Sequence, residues 1–148
     1  MKLNYYSLSA IAHKTLKGDL GYTSGVFDLF HQGHKIYLEK CKTLCDTLII
    51  GVDDDSLVKT NKGENRPFET IEKRIANVVA LGLADEIFIK TGSSEDIFET
   101  IRLNKYFVPK NRSIAQRRTL LLERLSIEAI VLPYTEGISI TLISQLDS

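Results

Sequence analysis

Thr47-Leu48-Ile49-Ile50-Gly51-Val52 is an uninterrupted apolar run of strand length, closed by Asp53-Asp54-Asp55. A strand without inward–outward alternation is buried on both faces, the environment of a central strand in a parallel sheet. The flanking segments agree. Gly33 to Cys45 carries apolar residues at helical spacing, and Glu69 to Leu81 places Ile71, Ile75, Val78 and Val79 on one helical face. Further short strands are expected at Gly21-Tyr22-Thr23-Ser24, Glu86-Ile87-Phe88-Ile89, Tyr106-Phe107-Val108 and Ala129-Ile130-Val131-Leu132; Pro109 and Pro133 stop the last two. Helical patterns cover Asp96 to Leu103, Ser113 to Leu125 and Ser139 to Leu146. Strands alternating with helices predict an α/β fold, a Rossmann-like, doubly wound five-stranded parallel sheet with helices on both faces. Tyr5 to Lys17 has weaker helical character. Residues 1–18 read as a helical N-terminal extension of a single domain spanning 1–148. Asp53 to Pro67 shows no apolar periodicity and reads as a long polar loop, of the kind that is functional or mobile.

The 148 residues are enough to bury about two-thirds of the surface of the unfolded chain. Nineteen basic and nineteen acidic side chains balance, so no global field draws the chain to nucleic acid or to an anionic membrane. No apolar run approaches the roughly 20 residues that span a bilayer. His13, Lys14 and Lys17 interrupt any apolar core of a leader peptide. Cys41 and Cys45 are too few for a disulfide scaffold. With Tyr37, Leu38 and Leu44 they form an apolar stripe, which reads as buried thiols rather than as a metal site. A soluble, cytoplasmic protein is expected.

Gly25-Val26-Phe27-Asp28-Leu29-Phe30-His31-Gln32-Gly33-His34 follows the first strand and opens the first long helix. Helix-opening N–H groups attract phosphate, and Gly33 lets the backbone approach it. Two imidazoles three residues apart can donate hydrogen bonds to phosphoryl oxygens as charge builds in a transition state. In a sheet of this kind ligands bind beyond the carboxyl ends of the strands. There this segment meets the loop from Asp53 and the turn Tyr134-Thr135-Glu136-Gly137-Ile138-Ser139. Asp53, Asp54 and Asp55 are adjacent and cannot all face one ion, so they read as a loop with a helix-opening acid. Lys110, Arg112, Arg117 and Arg118, balanced by Glu123, read as a solvated helix face.

Gly25 to His34 resembles the signature of nucleotidyltransferases that share a histidine motif with class I aminoacyl-tRNA synthetases. Nearly the whole chain is similar to the small cytidylyltransferase-like group. Leu132 to Ser139 resembles the closing motif of glycerol-3-phosphate cytidylyltransferases. Asp55-Ser56-Leu57-Val58-Lys59 with Lys62-Gly63-Glu64-Asn65-Arg66-Pro67 looks like the adenylyltransferase domain of ADP-heptose synthases. The resemblance implies transfer of a nucleoside monophosphate from a triphosphate to a phosphorylated polyol or sugar, with release of pyrophosphate. The closing motif puts CMP slightly ahead, with adenylyl transfer to a sugar 1-phosphate as the alternative. A non-catalytic nucleotide-binding protein that kept the histidines is the rival from another class.

On that resemblance His31, His34, Lys59 and Ser139 are the catalytic residues. Ser24, Gly25, Phe27, Gly33, Tyr134, Gly137, Ile138 and Thr141 would bind the nucleotide, and Asp28, Asp55, Lys62 and Arg74 the acceptor. Read alone, Asp28 braces its turn, Arg74 is a surface ion-pair partner, and Ser139 is a helix N-cap. Mg²⁺ would accompany the triphosphate, with no protein metal site, and the resemblance implies a homodimer. Two positions depart from the pattern. Tyr134 stands where the cytidylyltransferases usually have arginine, and Val108-Pro109-Lys110-Asn111-Arg112-Ser113 replaces a glycine- or aspartate-bearing turn. Lys110 and Arg112 could bind an anionic acceptor there.

Overall fold

The computed structural model describes residues 3–133. After a 3-10 turn at Leu3–Tyr5 the elements are α1 (Leu8–Ala12), β1 (Leu20–Gly25), α2 (Gln32–Thr43), β2 (Thr47–Asp53), α3 (Asp55–Lys62) and α4 (Ile71–Leu81). Then come β3 (Glu86–Lys90), α5 (Glu95–Thr100), β4 (Lys105–Pro109), α6 (Gln116–Arg124) and β5 (Glu128–Leu132). All neighbouring strands pair in parallel, in the order β3-β2-β1-β4-β5. The expected α/β sheet is present. Strand order reverses between β1 and β4, which is where a parallel sheet opens a crevice for ligand. β1 pairs with β2 from Leu20–Thr47 through Gly25–Val52, but with β4 only at Gly21–Lys105 and Tyr22–Tyr106. Beyond Tyr22 the β1–β4 ladder gives way to a side-chain contact, Thr23 Oγ1 donating to the Phe107 carbonyl at 3.1 Å.

The β2 run reads as uninterrupted because both of its faces are covered. Leu48, Ile50 and Val52 pack with Tyr37, Leu38 and Cys41 of α2 and with Ile71, Ile75 and Val78 of α4. Ile49 turns the other way, to Tyr22, Phe88, Tyr106 and to Ile97, Phe98 and Leu122. Each fully buried aliphatic side chain of this kind contributes about 1.5–3 kcal/mol. The Tyr22 ring stacks between Phe88 at 5.9 Å and Tyr106 at 5.8 Å. Gly51 makes room for that layer, since a Cβ there would lie 2.8 Å from the Phe88 ring. Burial raises the Cys41 thiol to about 12, so it is an inert core group, as its stripe implied.

Four sequence expectations need correction. The stretch from Asp53 to Pro67 contains α3. Asp54 caps it by accepting from the Leu57 N–H at 2.8 Å, Val58 is its buried anchor, and Gly63 ends it at φ +103°. One buried residue in eight is too little periodicity to read from sequence. The N-terminal helix is a five-residue piece, capped by Ser7 and followed by His13. Leu44 and Val79, at the margins of their stripes, are exposed rather than buried. The basic stretch is not uniformly solvated, because Arg118 turns inward, as described below. The expected helix Ser139–Leu146 lies outside the described residues. Among the described residues no helix is long and apolar enough to cross a membrane.

Candidate active site

His31 is the N-cap of α2, and its ring Nδ1 accepts from the Gly33 N–H at 3.0 Å. His34, one turn on, returns the favour in kind: its Nδ1 accepts from the His31 N–H at 3.2 Å. This reciprocal cap satisfies two N–H groups that a helix start leaves open. It also fixes the tautomers. A backbone N–H can only donate, so each neutral ring must carry its proton on Nε2. The rings lie 4.1 Å apart, and His34 stacks on Phe30 at 5.1 Å and meets Phe27 edge-on at 5.7 Å. Burial and the neighbouring His31 push His34 down to about 3, and burial also lowers His31. Both are therefore neutral Nε2–H donors at neutral pH.

The loop that delivers them is strained and held from outside. Phe27 and Leu29 take φ values of +54° and +47°, a region costly for residues with a Cβ. Phe27 is held by burial in the core. Asp28, 1% exposed, accepts from the N–H groups of Phe68 at 2.7 Å and Glu69 at 2.9 Å. Glu69 answers by accepting from the Leu29 N–H at 2.8 Å. Arg74, fully buried, completes the lock: Nε donates to the Glu69 carbonyl at 3.0 Å, Nη1 to the carbonyls of Val26 and Asp53 at 2.8 and 2.6 Å, and Nη2 to Asp55 Oδ1 at 2.7 Å. One guanidinium thus ties together the ends of β1 and β2 and the start of α4.

Beside this loop, a polar cavity of about 250 Å³ opens at the carboxyl ends of β1 to β4. Ser24 and Val26 bring the histidine loop to its wall, and Lys62, Lys90, Arg112 and Arg118 face it with Asp53. Lys90 Nζ stands 3.5 Å from Asp53 Oδ1, an ion pair longer than a hydrogen bond. Ser94, buried, bonds the Tyr22 hydroxyl at 2.8 Å and lies 3.4 Å from Ser24 Oγ. Arg118 donates to the Tyr106 hydroxyl and to Ser93 Oγ, each at 3.2 Å, and lies 3.8 Å from Glu95.

Residues 22–145 match the family model described as cytidylyltransferase-like. The chain belongs to the cytidylyltransferase-like family. Over 82 residues it is 37% identical to the bifunctional protein HldE of Pseudomonas syringae pv. syringae, covering 55% of this chain and 17% of that one. With HldE of Pseudomonas savastanoi pv. phaseolicola the identity is 35% over 94 residues, 63% of this chain and 19% of the other. The chain thus spans less than a fifth of the length of these relatives. The fold is similar to that of a lipopolysaccharide core biosynthesis protein from Thermoplasma volcanium (TM-score 0.67, 21% identity, 80% of this chain and 98% of that one). It is also similar to pantothenate synthetase from Thermus thermophilus (TM-score 0.60, 11% identity, 86% and 60%).

The sequence-derived site residues of this cytidylyltransferase-like domain separate into groups. His31, His34 and Gly33 come together at the helix start, with Ser24 and Gly25 at the end of β1. Phe27 is core and supports the His34 ring. Lys59 and Lys62 are exposed on α3, and Lys62 reaches the cavity wall. Asp28, Asp55 and Arg74 direct their polar atoms into protein and hold the loops. Arg74 is therefore a buried brace and not a surface ion-pair partner. Tyr134, Gly137, Ile138, Ser139 and Thr141 lie outside the described residues. Sequence reading missed Lys90, Ser94 and Arg118. Lys90 had a usable signal, its place at the carboxyl end of a predicted strand. Arg118 had none, because only packing of α6 distinguishes it from exposed Arg117.

Proposed function

We propose that this domain transfers a nucleoside monophosphate from a nucleoside triphosphate to the phosphate of a phosphorylated sugar, releasing pyrophosphate. The observation that carries the reading is the reciprocally capped pair, His31 and His34, held neutral with Nε2–H donors at a helix start beside a cationic cavity. An acceptor phosphate oxygen attacks the α-phosphorus in line. A new P–O bond forms, the bond to the bridging α–β oxygen breaks, and its electron pair leaves with pyrophosphate. No covalent enzyme intermediate is needed, so catalysis is positioning and charge stabilisation. His31 and His34 donate to the α-phosphoryl oxygens, where charge is redistributed, and preorganised donors of this kind each contribute about 10²–10³ in rate. Gly33 admits the phosphates to the start of α2, with Ser24 and Gly25 lining the approach. Lys59 and Lys62 supply positive charge from α3. Ser139 and Thr141 take the β- and γ-phosphates, and Tyr134, Gly137 and Ile138 border the nucleotide.

Mg²⁺ bound with the triphosphate supplies further charge neutralisation. Among the described residues no group of three His, Cys, Asp or Glu side chains could hold a metal. Mg²⁺ carried by a triphosphate needs only one or two protein carboxylates, and Asp53 faces the cavity.

The identity to HldE proteins supports the heptose-type resemblance, with ATP as donor and a sugar 1-phosphate as acceptor. Transfer of CMP to a polyol phosphate is the second reading, favoured by the Leu132 to Ser139 motif. A homodimer in the cytoplasm is the proposed working form. The test is pyrophosphate release with each of four ribonucleoside triphosphates and Mg²⁺, across sugar 1-phosphates, glycerol phosphate and choline phosphate. Release with ATP and one sugar 1-phosphate is expected. Release only with CTP and a polyol phosphate would select the second reading. Triphosphate binding without release against any acceptor would count against transfer and favour a non-catalytic nucleotide-binding protein.

A further inference from the structure

The cavity beside the histidine loop carries more positive charge than its surroundings need. Four cationic side chains face it, Lys62, Lys90, Arg112 and Arg118, against the single carboxylate of Asp53. Lys90 is answered by Asp53, and Arg118 lies near Glu95 outside the lining. Lys62 and Arg112 have no ion-pair partner among the described residues, although both face the same cavity. Converging cations with nothing to neutralise them repel one another, and a bound anion relieves that repulsion. Ser94, buried at the cavity wall, adds a hydroxyl.

Arg118 is also prepared for planar recognition. The Tyr106 hydroxyl and Ser93 hold its guanidinium at 3.2 Å each, and it sits over the Phe98 ring at 5.9 Å. A guanidinium fixed in this way loses little freedom on binding and presents a fork that matches a phosphate. Arg112 comes from the segment between β4 and α6, where the sequence departs from the family pattern. The departure and the cavity therefore coincide.

We infer that this cavity binds the phosphomonoester group of the acceptor, with Arg112 and Arg118 as its principal ligands and Lys62 and Lys90 completing the charge. The inference rests on the transfer reading above and names where its nucleophile is held. A phosphomonoester dianion matches the excess of positive charge better than a monoanionic carboxylate.

The test uses the full chain and inorganic phosphate as probe, with acetate as the carboxylate control, measured by calorimetry. Binding of Mg·ATP is measured in parallel. Arg112→Gln, at an exposed residue, is expected to weaken phosphate binding roughly tenfold, the loss of one charge-assisted contact, with Mg·ATP binding unchanged. Arg118→Gln should do the same, and Arg118→Lys should restore only part, because the fork is lost. In turnover with an accepted sugar 1-phosphate, Arg112→Gln should raise the acceptor KM and leave the nucleotide KM in place. Phosphate binding indifferent to both arginine substitutions, or acetate bound as tightly as phosphate, would overturn the assignment. Arginine-dependent phosphate binding without pyrophosphate release from any pairing would instead refute transfer and keep the anion site.

Discussion

At the start of α2 the His31 side chain caps the helix and, in the proposed reaction, donates to the α-phosphoryl group. A substitution can separate the two roles. Asparagine is a preferred N-cap but cannot reach with a second nitrogen, so His31→Asn should keep stability while turnover falls about 10²-fold or more. His31→Ala should lose both, with a further cost of about 1 kcal/mol in urea unfolding followed by circular dichroism. The lowered histidine values predict a pH dependence of definite sign. The unfolded chain binds protons near 6.5, while folded His34 does so only at about 3. Stability is therefore fully present above pH 6.5 and declines as pH falls from there toward 3. The loss should be measurable between pH 7 and 5, before carboxylates titrate, and His34→Gln should flatten it. Neither ring should contribute an inflection at the ordinary imidazole value of 6.5 to the turnover profile, since burial holds both below it. The H-x-G-H spacing marked the start of α2 and the paired imidazoles in the sequence. The tautomers were not legible there, because the deciding bonds run to backbone N–H groups that exist as open donors only once the helix has started.

Among the elements, the β1–α2 loop, the end of β2 and the start of α4 behave as one unit through Arg74. Arg74→Met would leave the carbonyls of Val26, Asp53 and Glu69 without their donor and Asp55 without its cation. An expected loss of about 3 kcal/mol follows mainly from stranding three carbonyls that the buried guanidinium satisfies, with a smaller share from Asp55, whose side chain is 39% exposed. Arg74→Lys should recover less than half, because one ammonium cannot span four acceptors in a plane. Urea midpoints of the three proteins check this, and kcat should fall along with stability as the histidine loop loosens. The spacing of Ile71, Ile75 and Val78 marked α4 in the sequence. The burial of Arg74 left no such mark, since three of its four acceptors are backbone carbonyls, and two of these, Val26 and Asp53, are distant in the chain. α3 escaped for the opposite reason: its boundaries are set by the Asp54 cap and Gly63, and only Val58 is buried.

For the molecule as a whole, strand–helix alternation was enough to predict a parallel sheet, and proline stops even bounded β4 and β5. Strand order was not written in any segment; it places β4 beside β1 and so opens a crevice beside the histidine loop. A nucleotide bound at that loop would stabilise the folded state by mass action. Mg·ATP at a hundred times its dissociation constant should add about 2.7 kcal/mol, and a thermal shift that depends on triphosphate concentration would show it. The proposed reaction breaks the bond between the α- and β-phosphates and joins the α-phosphate to an acceptor phosphate. Phosphorus NMR of ATP, Mg²⁺ and a sugar 1-phosphate with the wild-type chain tests it most directly. Paired signals of a new diphosphate ester should grow together with inorganic pyrophosphate and be lost in His31→Asn. Formation of ADP, whether with free phosphate or with a doubly phosphorylated sugar, would place the cleavage at the γ-phosphate and contradict it.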